Sequence, residues 1–429
     1  MKKTIGLSLL VALFLLVISA CSSGNSGTKV TVTAVGLGDG PAFIAAAAYQ
    51  TGDGKWQQLL PDKDGNFSFY VPDGETKYGV AVRCGDNFPL GNSGVINVFQ
   101  LTTDETVSPR AHCMTNGEVS AVSGEIDLSG VSSATRYEIF GPGSGDDRSV
   151  NSTTHTGDYE VYVPHGGARD LIALAEDNSY NILAAKIVRG IDANKAVIYR
   201  DIALVGSDAL KTHAIASFDV PSGMTGNFNL LLQTAGGTMY KDFGSSRSKA
   251  GGPVYAIANA RHGDVYITEI SASTNDNHRG VTHYSCFDAP DLPNNVSLSF
   301  GIDPFPTGNT VAAAANPTFP ANHPDADVDR YVFITASPQA LLRSYEVSSS
   351  WLGSKSSYAA PDLSSVPGFK NLQPARGESV RWATVAIKTS LTPVEYDSLP
   401  RTWEGVLPFP VKAGATIDMA LISGDFTAP

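Results

Sequence analysis

Gly65-Asn66-Phe67-Ser68-Phe69-Tyr70-Val71-Pro72-Asp73-Gly74 recurs 92 positions later as Gly157-Asp158-Tyr159-Glu160-Val161-Tyr162-Val163-Pro164-His165-Gly166. The offset holds without a gap through Val80-Ala81-Val82 and Ile172-Ala173-Leu174, so the chain carries two copies of one unit. Phe67, Phe69 and Val71 alternate with Ser68 and Tyr70, as Tyr159, Val161 and Val163 do with Glu160 and Tyr162. That period of two is a strand with one buried face. Val-Pro-x-Gly then ends the strand, because proline brings no donor to a ladder and glycine tolerates the positive φ of a turn. A second strand follows over Tyr78 to Arg83 and Leu171 to Ala175, and the two read together as a β-hairpin.

A Gly-Asn/Asp-aromatic strand ending in Val-Pro-x-Gly resembles the transthyretin-like sandwich of carboxypeptidase regulatory-like domains, over about twenty residues per copy. The resemblance implies a small Greek-key all-β module that serves as a structural or binding accessory and has no catalytic residues of its own. Farther on, Gly226-Asn227-Phe228 echoes the start of the repeated strand, and Val254 to Ala258 and Asp264 to Ile270 read as further strands of a third sandwich. Seven prolines between Asp288 and Asp329 exclude long helices and central strands there, leaving a linker or a long ordered loop. Arg330 to Thr335, Leu342 to Ser348, Val380 to Lys388 and Thr416 to Ile422 alternate like strands of a last β domain. Only Pro338 to Arg343 and the N-terminal segment look helical. The expectation is an all-β chain of three or four tandem antiparallel β-sandwiches, spanning residues 29–116, 117–206, 207–290 and 291–429.

The N-terminus gives an address. Lys2 and Lys3 precede an uncharged apolar run from Ile5 to Val17, and Ile18-Ser19-Ala20-Cys21 closes it with small residues and a thiol. The run is shorter than the ~20 residues that cross a bilayer. The segment resembles the lipobox of a bacterial lipoprotein signal peptide. That resemblance implies removal of residues 1–20, acylation of Cys21, and a lipid bilayer as the first partner. More than one acyl chain anchors stably, at about 0.8 kcal/mol per buried CH₂. Residues 21–28 then form a polar tether, and Ser22 after the cysteine resembles lipoproteins sorted to the outer membrane.

Losing Lys2 and Lys3 takes the formal charge from −12 to −14. So acidic a chain, without a basic stripe, speaks against nucleic-acid binding. With Cys21 acylated, Cys84, Cys113 and Cys286 remain. Cys84 and Cys113 lie within one unit, and the second copy replaces both, with Glu176 and Val205. In an oxidising compartment they are the natural disulfide, and Cys286 is a buried thiol.

Hydrolase and nucleotide signatures are missing: there is no Gly-x-Ser-x-Gly, His-Glu-x-x-His, Walker loop or Gly-x-Gly-x-x-Gly. Asp325, Asp327 and Asp329, behind Asn322 and His323, offer alternating hard ligands for Ca²⁺, or else a solvated acidic loop. Asp62, Asp64 and Asn66 make a similar cluster that a turn explains. His278, His283 and Cys286 make a zinc-like string whose odd separations oppose its members on a strand. Trp351 and Tyr358, in a Ser/Gly-rich loop, and Trp403 could stack on a glycan or anchor a protein partner, or fill a core. The reading is a membrane-anchored, non-catalytic binding or spacer protein. The alternatives are a carbohydrate-binding module and a hydrolase with an unmarked site in the C-terminal half.

Overall fold

The computed structural model describes residues 27–37, 42–85, 95–116, 118–142, 144–240, 243, 245–246, 253–293, 295–337, 342–370, 372–401, 407–409 and 411–429. Cys21 with the segment before it, and Trp403, lie outside the described residues. The chain is all-β. Its first unit comprises β1 (Gly27–Leu37), β2 (Ile44–Thr51), β3 (Gln57–Leu59), β4 (Phe67–Pro72), β5 (Lys77–Cys84), β6 (Val95–Thr102) and β7 (Arg110–Asn116). One sheet runs β4-β1-β7 and packs on β3-β2-β5-β6.

The second unit repeats this plan with β8 (Val119–Asp127), β9 (Arg136–Phe140), β10 (Gly145–Ser149), β11 (Thr156–Pro164), β12 (Ala168–Glu176), β13 (Ile182–Asp192) and β14 (Val197–Tyr199). The sheets are β11-β8-β14 and β10-β9-β12-β13. A third unit has the same plan without the sequence repeat. It comprises β16 (Lys211–Phe218), β17 (Thr225–Gln233), β18 (Met239–Tyr240), β20 (Pro253–Ala256), β21 (Val265–Ser273), β22 (Arg279–Asp288) and β23 (Asn295–Leu298). Its sheets are β20-β16-β23 and β18-β17-β21-β22. Short strands β15 (Ile202–Ala203) and β19 (Ser245–Ser246) add to β8 and β17. In each unit the last strand lies parallel to the first, as β15 also does to β8, and the other pairings within the units are antiparallel.

The predicted faces are the observed ones. Phe69, Val71, Tyr159, Val161 and Val163 are buried, while Tyr70 and Tyr162 stay exposed at matched positions of the two copies. Each buried side chain of this kind contributes about 1.5 to 3 kcal/mol. The hairpin is a correction. β4 pairs with β1, whereas β5 pairs with β2 and β6, so the Val-Pro-x-Gly turn carries the chain from one sheet to the other. Gly74 and Gly166 take φ of 85° and 94° there, a region open to glycine. Alternation reports which face is buried and is silent on which strand lies alongside. The Gly226-Asn227-Phe228 echo is a second correction, since it opens β17, the counterpart of β2, and the place of β4 is held by β20. Gly-Asn-aromatic marks only a chain leaving a turn for a strand.

The Pro-rich stretch first supplies β23 to the edge of the third unit, and beyond it is an ordered loop containing β24 (Thr318–Pro320), with Phe305 and Phe319 fully buried. After it come β25 (Arg330–Ala336), β26 (Leu342–Ser348), β27 (Ser357–Ala359), β28 (Ser379–Thr389) and β29 (Thr416–Thr427). Leu342 and Arg343, expected to be helical, open β26; the rest of that expected helix reaches into residues outside the described ones. Pairing with β25 and β6 outweighs the helix propensity there. Among the described residues the α-helices are single turns: α1 (Ser349–Leu352), capped by Ser348, and α2 (Pro393–Asp397), opened by a Thr392–Glu395 capping box.

These C-terminal strands join the units. β26 pairs in parallel with β6, and β29 pairs antiparallel with β22, so one 13-stranded sheet runs from the first unit to the third. The second unit packs its β12 and β13 residues Ile172, Leu174, Ala185 and Ile187 into the core of the third. Arg189 locks that contact, with Nη2 2.6 Å from Asp264 and Nη1 3.3 Å from Asp170.

Candidate functional site

Cys84 and Cys113 are disulfide-bonded. Asp62 Oδ1 accepts the amides of Asp64 and Asn66, each at 2.9 Å, which is an Asx turn. Asp325 and Asp327 do converge, but on Lys388, whose Nζ lies 3.4 and 3.3 Å away, while Asp329 accepts the Thr389 amide at 2.8 Å. The expected calcium ligands are thus engaged by an ammonium and a backbone N–H. His278 is exposed beside Asp276, and Cys286 is buried among Leu231, Ile267 and Phe409, where burial pushes its thiol up to about 12. Among the described residues, no three His, Cys, Asp or Glu side chains are grouped to hold a metal ion.

Trp351 and Tyr358 come together around α1, and both are buried. Ser348 Oγ accepts the Trp351 amide at 3.1 Å, turning the chain so that the indole packs inward. Lys77 donates to the Trp351 carbonyl at 2.8 Å and stands 5.7 Å from the ring centroid, with Lys355 at 5.2 Å. The indole is thus engaged by two ammonium groups of the chain itself. Tyr358 stacks on Phe333 at 4.7 Å. Its hydroxyl and Trp351 Nε1 have no hydrogen-bond partner among the described residues. Both residues line a groove of about 520 Å³ with Ser354, Lys355 and Ser356.

On the other side of α1 lies a cavity of about 360 Å³, where Glu105 from the first unit meets the C-terminal strands. Its floor is a buried ion network that sequence reasoning missed. Arg330 Nη1 lies 2.6 Å from Glu346 and 2.9 Å from Asp397, and Arg401 Nη2 lies 3.1 Å from the other Glu346 oxygen. The guanidiniums of Arg330 and Arg401 stand 4.6 and 5.0 Å from the Tyr396 ring. Burial opposes the charge on Arg330, but Glu346 and Asp397 together hold it firmly protonated. Burial pushes the Asp397 carboxyl up to about 6 against the pull of Arg330. Burial likewise raises Asp329.

A third arrangement lies between the third unit and the C-terminal strands. Asp418 Oδ1 is 2.8 Å from His283 Nδ1, and His283 Nε2 is 2.7 Å from Ser285 Oγ. The Gly301 amide donates to the same Asp418 oxygen at 2.6 Å. His283 and Ser285 share a strand face by their spacing of two, which was legible. Asp418, 135 residues on, was not.

No protein-family model matches the chain. No curated protein matches it. Among solved structures it is similar to the Bacillus anthracis TIE protein, at 11% identity over 64% of this chain and 50% of that one, with a TM-score of 0.17. It is similar to the pilus adhesin SpaC from Lactobacillus rhamnosus GG, at 9% identity over 75% and 43%, TM-score 0.16. It is also similar to the Bacteroides ovatus mixed-linkage glucan utilization locus SGBP-B, at 11% identity over 93% and 96%, TM-score 0.11. The chain spans half the length of the first or less. None of these three fixes its fold or its function.

Proposed function

We propose that the chain is a non-catalytic binding or scaffold protein of a bacterial envelope, tethered through acylated Cys21, with sandwich boundaries near residues 116 and 206 and a third, expected near 290, that falls after β23. The observation that carries the reading is rigidity. The first and third units share one sheet with the C-terminal strands, and the second and third share one apolar core, with Arg189 bridging Asp170 and Asp264 across the contact. Such a body holds the recesses flanking α1 in a fixed orientation to one another at the end of the tether, which suits presentation of a protein or glycan site. Pull-down and glycan-array screening of the full chain tests the binding role, and capture of no specific partner in either screen overturns it. Fractionation tests the anchor, because Cys21→Ser should move the protein from the membrane to the soluble fraction.

A second reading, hydrolysis, has one observation in its favour: Ser285, His283 and Asp418 form the hydrogen-bonded chain that activates a serine nucleophile. Labelling with a fluorophosphonate probe decides it. An adduct on Ser285 that His283→Asn abolishes favours the hydrolase, and an unlabelled Ser285 removes it.

A further inference from the structure

The buried network at the floor of the α1 cavity is incomplete. Arg330 is only 4% exposed, lines the cavity, and its Nη2 has no acceptor among the described residues. A buried donor left without an acceptor costs about 1 to 3 kcal/mol, and more when it carries charge. The remaining polar wall is of the opposite kind: Glu105, Asp327 and Asp329 offer carboxylate acceptors. Ser350, exposed at the mouth, offers a hydroxyl. We propose that this cavity is a binding site for a neutral polyhydroxylated ligand, a saccharide, with Arg330 donating to one ligand oxygen and the carboxylates accepting from its hydroxyls.

The charge pattern selects that class. An anion would satisfy Arg330 but meet three carboxylates, of which Asp327 alone is ion-paired with Lys388, whose charge also reaches Asp329. A cation would suit the carboxylates but be repelled by a guanidinium that it leaves without an acceptor. A hydroxyl donates and accepts at once, so neighbouring hydroxyls on one small ring satisfy both kinds of wall. The volume of about 360 Å³ lies within the range of small-ligand sites. The proposal rests on the binding reading above and narrows it to one pocket and one ligand class.

Saturation-transfer NMR on the full chain in detergent tests it, with glucose, galactose and N-acetylglucosamine as neutral probes, sulfate as the anion and putrescine as the cation. At least one sugar is expected to receive saturation. Ser350→Trp, which fills the mouth, should weaken that sugar by about tenfold or more, and Asp327→Asn should weaken it less. Thermal melts confirm that both variants fold; both positions are exposed, so folding should be retained. Transfer to sulfate or putrescine in place of the sugars overturns the proposal. So does sugar transfer that both variants leave unchanged. A glycan array on the same chain separates the two readings: array binding that survives Ser350→Trp sinks this site and keeps the binding role. An empty array sinks the saccharide class, and with an empty pull-down it sinks the binding role as well.

Discussion

The imidazole of His283 and the carboxylate of Asp418, 135 residues apart in the chain, meet at 2.8 Å across the paired strands β22 and β29. The same carboxylate holds the Gly301 amide, so it ties the Pro-rich loop to the sheet that the loop covers. Asp418→Ala removes the acceptor of both donors, and the buried His283 donor left orphaned costs about 1 to 3 kcal/mol, while the Gly301 amide lies on an exposed residue that water can reach. The urea midpoint should fall well below that of the parent, and Asp418→Asn should recover part of the loss. An unchanged midpoint in the alanine variant would show the contact to be idle.

His112 makes the fold sensitive to acid. Burial, with Arg401 and Arg110 nearby, lowers its pKa from 6.5 to about 2. Below pH 6.5 the unfolded chain binds a proton at this site and the folded chain does not. Stability therefore falls with pH, at up to about 1.4 kcal/mol per unit from this residue. Denaturant titrations between pH 7 and 5 should show a shallower slope in His112→Gln than in the parent.

The Cys286 thiol should be inert in the folded protein. Its pKa, pushed up to about 12, leaves almost no thiolate at pH 8, and the apolar cluster around it blocks approach. Mass spectrometry after iodoacetamide treatment should find no modification at Cys286 in buffer and complete modification in denaturant. Rapid native alkylation would contradict the burial.

Replacing Cys84 and Cys113 together with alanine opens a loop of 29 residues. On the chain-entropy model this costs about 3 to 4 kcal/mol. The double variant should unfold at lower denaturant than the parent, and the parent under reducing agent should approach it. Equal midpoints for variant and oxidised parent would mean that the bond constrains little.

Strand identity and strand face were readable from short stretches. The inward Phe69, Val71, Tyr159 and Val161 and the outward Tyr70 and Tyr162 follow from pleat geometry, which acts on neighbouring residues alone. The disulfide was readable because the repeat supplied a second copy lacking both cysteines. A third sandwich was expected over 207–290, but that it keeps the strand order of the first two was not readable, because its sequence has the strand pattern without the Val-Pro-x-Gly turn. Trp351 and Tyr358 were singled out as aromatics in a polar loop, and their burial depends on Phe319 and Phe333 packing from elsewhere in the chain.

By itself, the sequence determined the all-β class and the buried side of β4 and β11, which arise from local periodicity, and the twofold repeat, which is self-similarity at a fixed offset. Only the tertiary structure decided that β4 leaves β5 for β1, that β26 lies against β6, and that Arg330 is buried over Glu346 and Asp397. Those outcomes depend on which distant backbone donors and charges find each other, and a strand presents the same unpaired edge to every candidate neighbour until the whole chain has packed.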